Sequence, residues 1–347
     1  MKFRLPILVI VLLSAFGMPF AGTATAAITS KPLNLITSPL PINLATKPGT
    51  VVSADIRVKQ GGTDTEKLNI TLMKFAAYGA AGKPRLADRG PNDDYFDWVK
   101  FSSTVITAPP NVWQTVKMTI NVPKSAQFGY YYAVVFTRQG DDTRPDKGAA
   151  ISGGTAVLVL LDALVPNAKR KIDLVSFGVT HRLYEYLPSH FNTLFHNSGN
   201  VHQQPKGDIF IKRGNKTITT IPLNGEGGNI LPQSNRIFQN DWINGFPVFV
   251  PKLQDGRVVQ KDGEPVRVLK WDFSKLADLR IGRYTAVLEA VYDDGSRDQP
   301  IEATVSFWVI PWKVLSGLLI VLILIFAGFF FTGRGIWHRF RGRKQGQ

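Results

Sequence analysis

The chain has 347 residues, a formal net charge of +15 at pH 7 and no cysteine. This length indicates more than one domain, since a domain usually has roughly 100–200 residues, and the lack of cysteine excludes disulfides, thiolate catalysis and cysteine-based zinc or iron–sulfur sites. A 44% hydrophobic content supports packed cores. The basic charge fits binding to nucleic acid, binding to an acidic surface, or a signal that sets orientation in a membrane. Only the distribution of the charges along the chain can distinguish these explanations.

Residues 1–27 have the three parts of a secretory signal peptide. A basic start is followed by an apolar run over residues 5–20 and then by small residues. The pattern predicts cleavage after Ala26 or Ala27. The alternative is an uncleaved N-terminal anchor, which the short and interrupted run disfavours.

Alternation of apolar and polar residues dominates the chain between residues 28 and 310. It is strict over residues 52–59, 68–72 and 116–122, as expected for strands with one face in water. Turn signals such as Lys47-Pro48-Gly49 separate these segments. Because no comparable helical period occurs there, the sequence predicts an all-β fold built from sandwiches.

A weak internal repeat predicts two such sandwiches. The pattern Gly-x-Tyr-x-Ala-Val begins at Gly129 and again at Gly282. In immunoglobulin-like domains a corner tyrosine lies near the start of the sixth strand, and Tyr131 and Tyr284 fit that position. With a boundary near Pro166, we expect immunoglobulin-like β-sandwiches over residues 28–165 and 166–310.

An uncharged apolar run predicts a transmembrane helix over residues 311–333. As a helix, the 18 residues of Val314 to Phe331 would span about 27 Å, which matches a bilayer core. Basic residues follow the run over residues 334–347, whereas acidic residues precede it. The positive-inside rule therefore predicts a single-pass cell-membrane protein with its ectodomain outside and a basic cytoplasmic tail, and the lipid bilayer is a predicted partner through Val314 to Phe331.

Metal and cofactor sites are not predicted. Four of the five histidines lie close together in sequence, but their spacing matches no compact ligand motif (His181, His190, His196 and His202). Acidic clusters lack the alternating pattern of a calcium loop and are better explained as turns (Asp93-Asp94, Asp141-Asp142-Asp146 and Asp293-Asp294-Asp298). We expect local hydrogen bonding from both groups.

Catalysis and nucleic-acid binding are also disfavoured. The chain has no Gly-x-Ser-x-Gly, His-Glu-x-x-His or phosphate-cradling motif. Its ectodomain Lys and Arg residues are scattered among polar strand faces, and export removes the chain from most nucleic acid. The sequence predicts a protein that is not an enzyme and has no cofactor.

Two long connections carry aromatic residues that could face a partner. Each connection contributes three candidate partner-binding residues. The connection over residues 75–99 contains Tyr95, Phe96 and Trp98, and the connection over residues 240–261 contains Trp242, Phe246 and Phe249. Both groups equally fit a role as covers of a sandwich core. The sequence leaves these alternatives open.

The combination of signal peptide, two immunoglobulin-like modules, membrane helix and basic tail resembles the bacterial DUF916-type surface proteins, also called WxL-interacting proteins. The similar stretches are Lys47-Pro48-Gly49, Val122 to Tyr131, and Phe195 to Gly207. The resemblance implies binding to peptidoglycan or to WxL-type surface proteins. No binding-site motif of the family is matched, so it implies no functional residue.

Together these features predict a non-enzymatic, membrane-anchored cell-envelope protein. Its extracytoplasmic sandwiches would bind another surface protein or a cell-wall polymer. The alternative is a structural or assembly factor of a membrane-embedded secretion or pilus-type complex, in which the membrane helix makes the contacts.

Overall fold

A computed structural model describes residues 33–140, 154–261 and 263–342. The predicted signal peptide, the acidic cluster at Asp141-Asp142-Asp146 and the end of the basic tail, residues 343–347, lie outside the described residues. The first sandwich consists of β1 (Leu35–Ser38), β2 (Ile42–Thr46), β3 (Val51–Gln60), β4 (Glu66–Tyr78), β5 (Lys83–Ala87), a 3-10 helix (Asp94–Trp98), β6 (Val99–Phe101), β7 (Val105–Ala108), β8 (Trp113–Asn121), β9 (Gly129–Arg138) and β10 (Gly154–Ala163).

The strand order of the first sandwich is immunoglobulin-like. One sheet has the order β1-β3-β8-β6 and the other β2-β10-β9-β4-β5, with β7 also paired to β4. In immunoglobulin lettering these are the A-B-E-D and A′-G-F-C-C′ sheets. The first strand changes sheets, since β1 pairs with β3 and β2 runs parallel to β10.

The predicted alternation is confirmed, because every second residue of the strands enters the core. Ile56 and Val58 of β3 are fully buried between more exposed polar neighbours, and so are Val116 and Met118 of β8. These side chains form one apolar core with the inward residues of β9 and β10. Burial of this apolar surface is the main term that stabilises the sandwich.

The connection over residues 75–99 differs from the expected loop. β4 continues to Tyr78 and forms a hairpin with β5. The 3-10 helix then lies over the open end of the core. Strict alternation stops at Leu72-Met73, so the sequence pattern gave no signal that the strand continues.

The second sandwich follows with an insertion before its last two strands. The elements are β11 (Ile172–Val179), β12 (Leu183–Tyr184), β13 (Ser189–Asn197), β14 (Lys206–Arg213), β15 (Lys216–Pro222), β16 (Asn235–Trp242), β17 (Val248–Pro251), β18 (Leu253–Gln254), β19 (Arg257–Val258), β20 (Gln260–Lys261), β21 (Glu264–Pro265), β22 (Arg267–Lys270), a 3-10 helix (Phe273–Asp278), β23 (Gly282–Asp293), β24 (Asp298–Val309) and the helix α1 (Trp312–Gly342).

The two sheets of the second sandwich correspond to those of the first, but one of them has three strands instead of four. The orders are β11-β13-β16 and β12-β24-β23-β14-β15. β12 runs parallel to the last strand, β24, just as β2 runs parallel to β10. The chain is therefore an all-β protein of two tandem immunoglobulin-like sandwiches followed by one helix.

The repeated Gly-x-Tyr-x-Ala-Val segments open equivalent strands, β9 and β23, but their side chains point in opposite directions. Tyr284 enters the second core, whereas Tyr131 faces away from the first core and Tyr132 enters it. A shift of one residue in a strand exchanges its two faces. The corner bond of the first sandwich correspondingly belongs to Tyr130, whose hydroxyl accepts from the Gln127 backbone N–H at 2.8 Å.

The helix α1 includes a segment, Trp312–Arg334, that is long and apolar enough to cross a membrane, with a mean hydropathy of 2.9. It contains the predicted run Val314 to Phe331. The helix begins directly after β24 and continues to Gly342, beyond the predicted end at residue 333.

Candidate binding cleft between the two sandwiches

A cavity of about 490 Å³ lies between the two sandwiches. Its first wall is the outer face of the β2-β10-β9-β4-β5 sheet, which contributes Phe75, Leu86 and Leu158. Its second wall comes from the second sandwich around Leu231 and Arg236. We refer to this cavity as the cleft.

The first wall is apolar because β10 is apolar on both faces. Val157 and Val159 point into the core of the first sandwich, while Leu158 and Leu160 point outward. Such a strand is covered on both sides, unlike a strand with one wet face. The outward side chains pack with Phe75 and with other residues of both sandwiches, including Leu231.

Polar contacts also join the two walls. The tip of the β4–β5 hairpin reaches the second sandwich, where the backbone N–H of Ile237 donates to the Ala80 carbonyl at 2.7 Å. Asn229 Nδ2 donates to Asn43 Oδ1 at 3.0 Å. The walls of the cleft are therefore held together by backbone and side-chain bonds as well as by apolar packing.

Arg236 places a cation in this apolar cleft. Its guanidinium donates to the Asn229 carbonyl at 2.7 Å and lies 5.4 Å from the centre of the Phe238 ring. Burial lowers the pKa of Arg236, and the carboxylate of Glu226 opposes that shift. A guanidinium held in this way can bind a carboxylate or a carbonyl oxygen of a ligand.

Two glycines make room for this guanidinium. A Cβ on Gly82 would lie 2.7 Å from Arg236 Cζ, and a Cβ on Gly228 would lie 2.5 Å from Arg236 Nη2. Gly82 belongs to the first sandwich and Gly228 to the second. The side chain of Arg236 therefore fills the narrow space between them.

A second group of polar residues surrounds the linker between the sandwiches. Arg170 of the linker forms an ion pair with Asp162 at the end of β10. Close by, the ring of His202 lies 5.8 Å from that of Tyr131. Burial lowers the pKa of His202, Asp162 opposes the shift and Arg170 adds to it. We call these four residues the polar junction.

The turn after β13 holds the linker in place. The backbone N–H of Asn200 donates to the Lys169 carbonyl at 2.9 Å, and the Lys169 N–H donates to Asn200 Oδ1 at 2.7 Å. A Cβ on Gly199 would lie 2.3 Å from the same carbonyl oxygen. The Asn-x-Gly-Asn stretch therefore fixes where the second sandwich begins.

The first group of predicted partner-binding aromatics covers the core of the first sandwich. Phe96 is only 8% exposed, and Tyr95 and Trp98 pack against the same core. The Tyr132 hydroxyl donates to the Tyr95 carbonyl at 3.2 Å. Burial raises the pKa of Tyr95 to about 12, with a further contribution from Asp93. Of the two roles left open by the sequence, the low exposure of Phe96 fits that of a core cover.

The second group divides between core and surface. Trp242 is 1% exposed and its ring lies 5.0 Å from the Tyr284 ring, so of the two roles left open it fits the one in the core. Phe246 is 6% exposed and Phe249 is half-buried. Both form the base of an exposed aromatic group whose outer member is Trp271.

The predicted histidine and acidic clusters make local contacts. His190 Nδ1 lies 2.7 Å from Asp241, and His196 Nδ1 lies 2.8 Å from Asn235. In the turn after β23, Asp294 accepts from the Ser296 hydroxyl and from the backbone N–H groups of Arg297 and Ser296, and these bonds hold its pKa well below its usual range. Over the described ranges, no three His, Asp or Glu side chains come together as a metal site.

No family model matches the chain, and no curated protein sequence matches it. Among solved structures, the class 5 fimbriae chaperone CfaA is similar at 14% identity and a TM-score of 0.36, covering 78% of this chain and 98% of its own. The Salmonella enterica SafA pilin in complex with the SafB chaperone matches at 9% identity and 0.33, covering 80% and 98%. The Acinetobacter baumannii CsuC–CsuE chaperone–tip subunit complex matches at 11% identity and 0.33, covering 78% and 97%.

The sequence pattern did not predict the cleft. Its signal is the continuous apolar run from Ala156 to Leu161 in β10, where alternation would leave every second residue polar. Such a run indicates a strand that is buried on both faces. The residues that cover the outer face of β10 lie in the second sandwich, and no local sequence pattern indicates that they contact β10.

Proposed function

We propose that the chain is a membrane-anchored, non-enzymatic cell-envelope protein that binds a segment of another surface protein in the cleft. The observation that carries the proposal is the apolar cleft of about 490 Å³. This volume lies within the range of about 300–1,000 Å³ that is usual for binding pockets. The helix α1 would anchor the two sandwiches at the cell membrane.

The chemistry of the cleft favours a polypeptide over a cell-wall polymer. Leu86, Leu158 and Leu160 offer apolar contacts, which suit leucine, valine or aromatic side chains of a protein. Burying the hydroxyl and charged groups of a wall polymer against this apolar wall would cost free energy, because most polar side chains of the lining lie on the opposite wall (Glu226, Asn229, Ser234, Asn235 and Arg236). Arg236 supplies one fixed partner for a carbonyl or a carboxylate.

An unpaired strand edge next to the cleft supports an extended ligand. β5 lies at the end of its sheet, so one of its edges has no ladder partner within the described part of the chain. It contributes Lys83, Pro84 and Leu86 to the cleft. A ligand strand can add to such an edge through main-chain hydrogen bonds while its side chains enter the adjacent pocket.

A retention assay tests the proposal. The full chain in detergent is immobilised and exposed separately to envelope protein extract and to purified sacculi. We expect it to retain a protein from the extract and no sacculi. Leu158→Lys should abolish retention, because a lysine would bring a charge into the apolar wall, whereas the matched control Val51→Lys, at an exposed site on β3, should retain the protein.

Three results would contradict the proposal. These are retention of neither material, retention of sacculi alone, and equal retention by Leu158→Lys and the original chain. If replacing α1 with an unrelated membrane helix abolished function while the cleft variant did not, the alternative of a membrane assembly factor would be favoured instead.

A further inference from the structure

The insertion between β16 and β23, residues 243–281, exposes an unusual amount of apolar surface. Nine of its large apolar side chains are at least a third exposed, compared with ten in the described part of residues 33–242. Phe273 is 70% exposed and Trp271 is 51% exposed. Exposed apolar groups that cluster in this way mark an interaction surface.

The apolar residues form one continuous group. The ring of Trp271 lies 5.7 Å from that of Phe246 and 6.2 Å from that of Phe273. Phe273 begins the 3-10 helix, which also presents Leu276, and Leu279 follows its end. We call Trp271, Phe273, Leu276 and Leu279 the apolar platform.

The platform lies at the end of the second sandwich from which α1 leaves. The insertion returns to the sandwich at Gly282, and Gly282 is paired with Val309, the last residue of β24, shortly before α1 begins at Trp312. The short stretch after β12 contacts both the platform and α1. Glu185 forms an ion pair with Lys313 in the first turn of α1 at 2.7 Å, and the ring of Tyr186 lies 6.2 Å from Trp271.

Other aromatic residues at this end fit a membrane–water interface. Trp308 at the end of β24 and Trp312 at the start of α1 are both about half exposed. Tryptophan is enriched at the level of lipid headgroups, where its ring is partly apolar and its N–H remains hydrated. The insertion also carries seven basic and five acidic residues, so its charge favours anionic headgroups slightly.

We infer that the apolar platform rests in the outer surface of the same bilayer that α1 crosses, and so fixes the second sandwich against the membrane. This inference rests on the membrane anchoring in the proposed function. The helix keeps the platform close to the lipid at a high effective concentration, so that even a weak affinity of the platform suffices. The occupant of the platform is the lipid surface, and the cleft remains free for a protein ligand.

Single cysteines provide a direct test, because the chain has none of its own. The full chain carrying Leu276→Cys is labelled with an environment-sensitive fluorophore and placed in phosphatidylcholine–phosphatidylglycerol vesicles with and without nitroxide-bearing lipid. Leu319→Cys in α1 reports the membrane span, and Val105→Cys on β7 is an exposed control in the first sandwich.

We expect the nitroxide lipid to reduce the fluorescence at Leu276→Cys and Leu319→Cys and to leave Val105→Cys unchanged. Adding Phe273→Asp should abolish the loss at Leu276→Cys alone. Quenching at Leu319→Cys without quenching at Leu276→Cys would overturn the platform while leaving the anchor intact. Absence of quenching at Leu319→Cys would overturn both. The fluorescence at Leu276→Cys could instead change with protein concentration and not with the nitroxide lipid. That result would assign the platform to contact with a second copy of the chain and would also overturn the inference.

Discussion

Arg236 of the second sandwich lies directly against Gly82 of the first, so that a Cβ on Gly82 would come within 2.7 Å of Arg236 Cζ. The backbone of Gly82 has a φ of +72°, which side chains other than glycine rarely adopt. The contact therefore depends on glycine for its conformation and for its space. It joins the tip of the β4–β5 hairpin to the rim of the cleft.

The first prediction tests this contact with two glycines of the same hairpin. Gly79 also has a positive φ, but a Cβ there would meet no atom within 4 Å. Gly79→Ala should therefore lower the free energy of unfolding by about 1–2 kcal/mol, the usual cost of the left-handed conformation. Gly82→Ala should lower it by about 1 kcal/mol more, because it must also displace Arg236.

Chemical denaturation followed by tryptophan fluorescence measures both variants of this pair. The retention assay should in addition show weaker ligand binding for Gly82→Ala than for Gly79→Ala. Equal destabilisation and equal binding would mean that Arg236 moves aside freely and does not define the cleft.

The second prediction concerns pH. Burial, together with Arg170, keeps the pKa of His202 below the ordinary value of 6.5, against the opposing effect of Asp162. As the pH falls below 6.5, the unfolded chain therefore takes up the proton before the folded chain does. The contribution of neutral His202 to the free energy of unfolding is therefore complete above pH 6.5. It is lost as the pH falls through the pKa of His202 in the folded chain.

Denaturation midpoints across this pH window measure the effect. His202→Gln should flatten the dependence in that window relative to the original chain. If the profile of His202→Gln is as steep as that of the original chain, the polar junction is not the origin of the pH dependence.

The third prediction tests the core position of Trp242. Trp242→Ala should lower the free energy of unfolding by about 3–5 kcal/mol, because it removes a buried aromatic ring. Trp113→Ala should cost less than about 1 kcal/mol, since Trp113 is 40% exposed and its ring lies beside the cations Arg57 and Lys59 at the surface. Thermal or urea unfolding compares the two, and similar costs would contradict a core position for Trp242.

The sequence pattern predicted the faces of the strands well. Alternation over β3 and β8 identified Ile56, Val58 and Val116 as inward residues, because a strand with one wet face has to alternate. The repeated Gly-x-Tyr motif located the equivalent strands β9 and β23 but not their register. Tyr284 faces the second core, whereas the tyrosines of β9 that face the first core are Tyr130 and Tyr132 rather than Tyr131. A difference of one residue is invisible to a motif match.

The candidate site was harder to predict because it is built from residues far apart in sequence. Leu158 and Leu231 meet only when two sandwiches dock, and local patterns carry no information about docking. The platform was missed for a related reason. Its residues Trp271 and Phe273 follow several short hairpins, where short segments with irregular hydrophobicity resemble an ordinary loop.

The measurement that tests the central claim most directly is photocrosslinking at the cleft in intact envelopes. A benzoylphenylalanine at position 86 replaces Leu86 on the cleft side of β5, and the same residue at position 51 replaces the exposed Val51 as the control. We predict one protein adduct from position 86 and none from position 51. Adducts to wall polymer alone, to no molecule, or equally from both positions would contradict a protein-binding cleft.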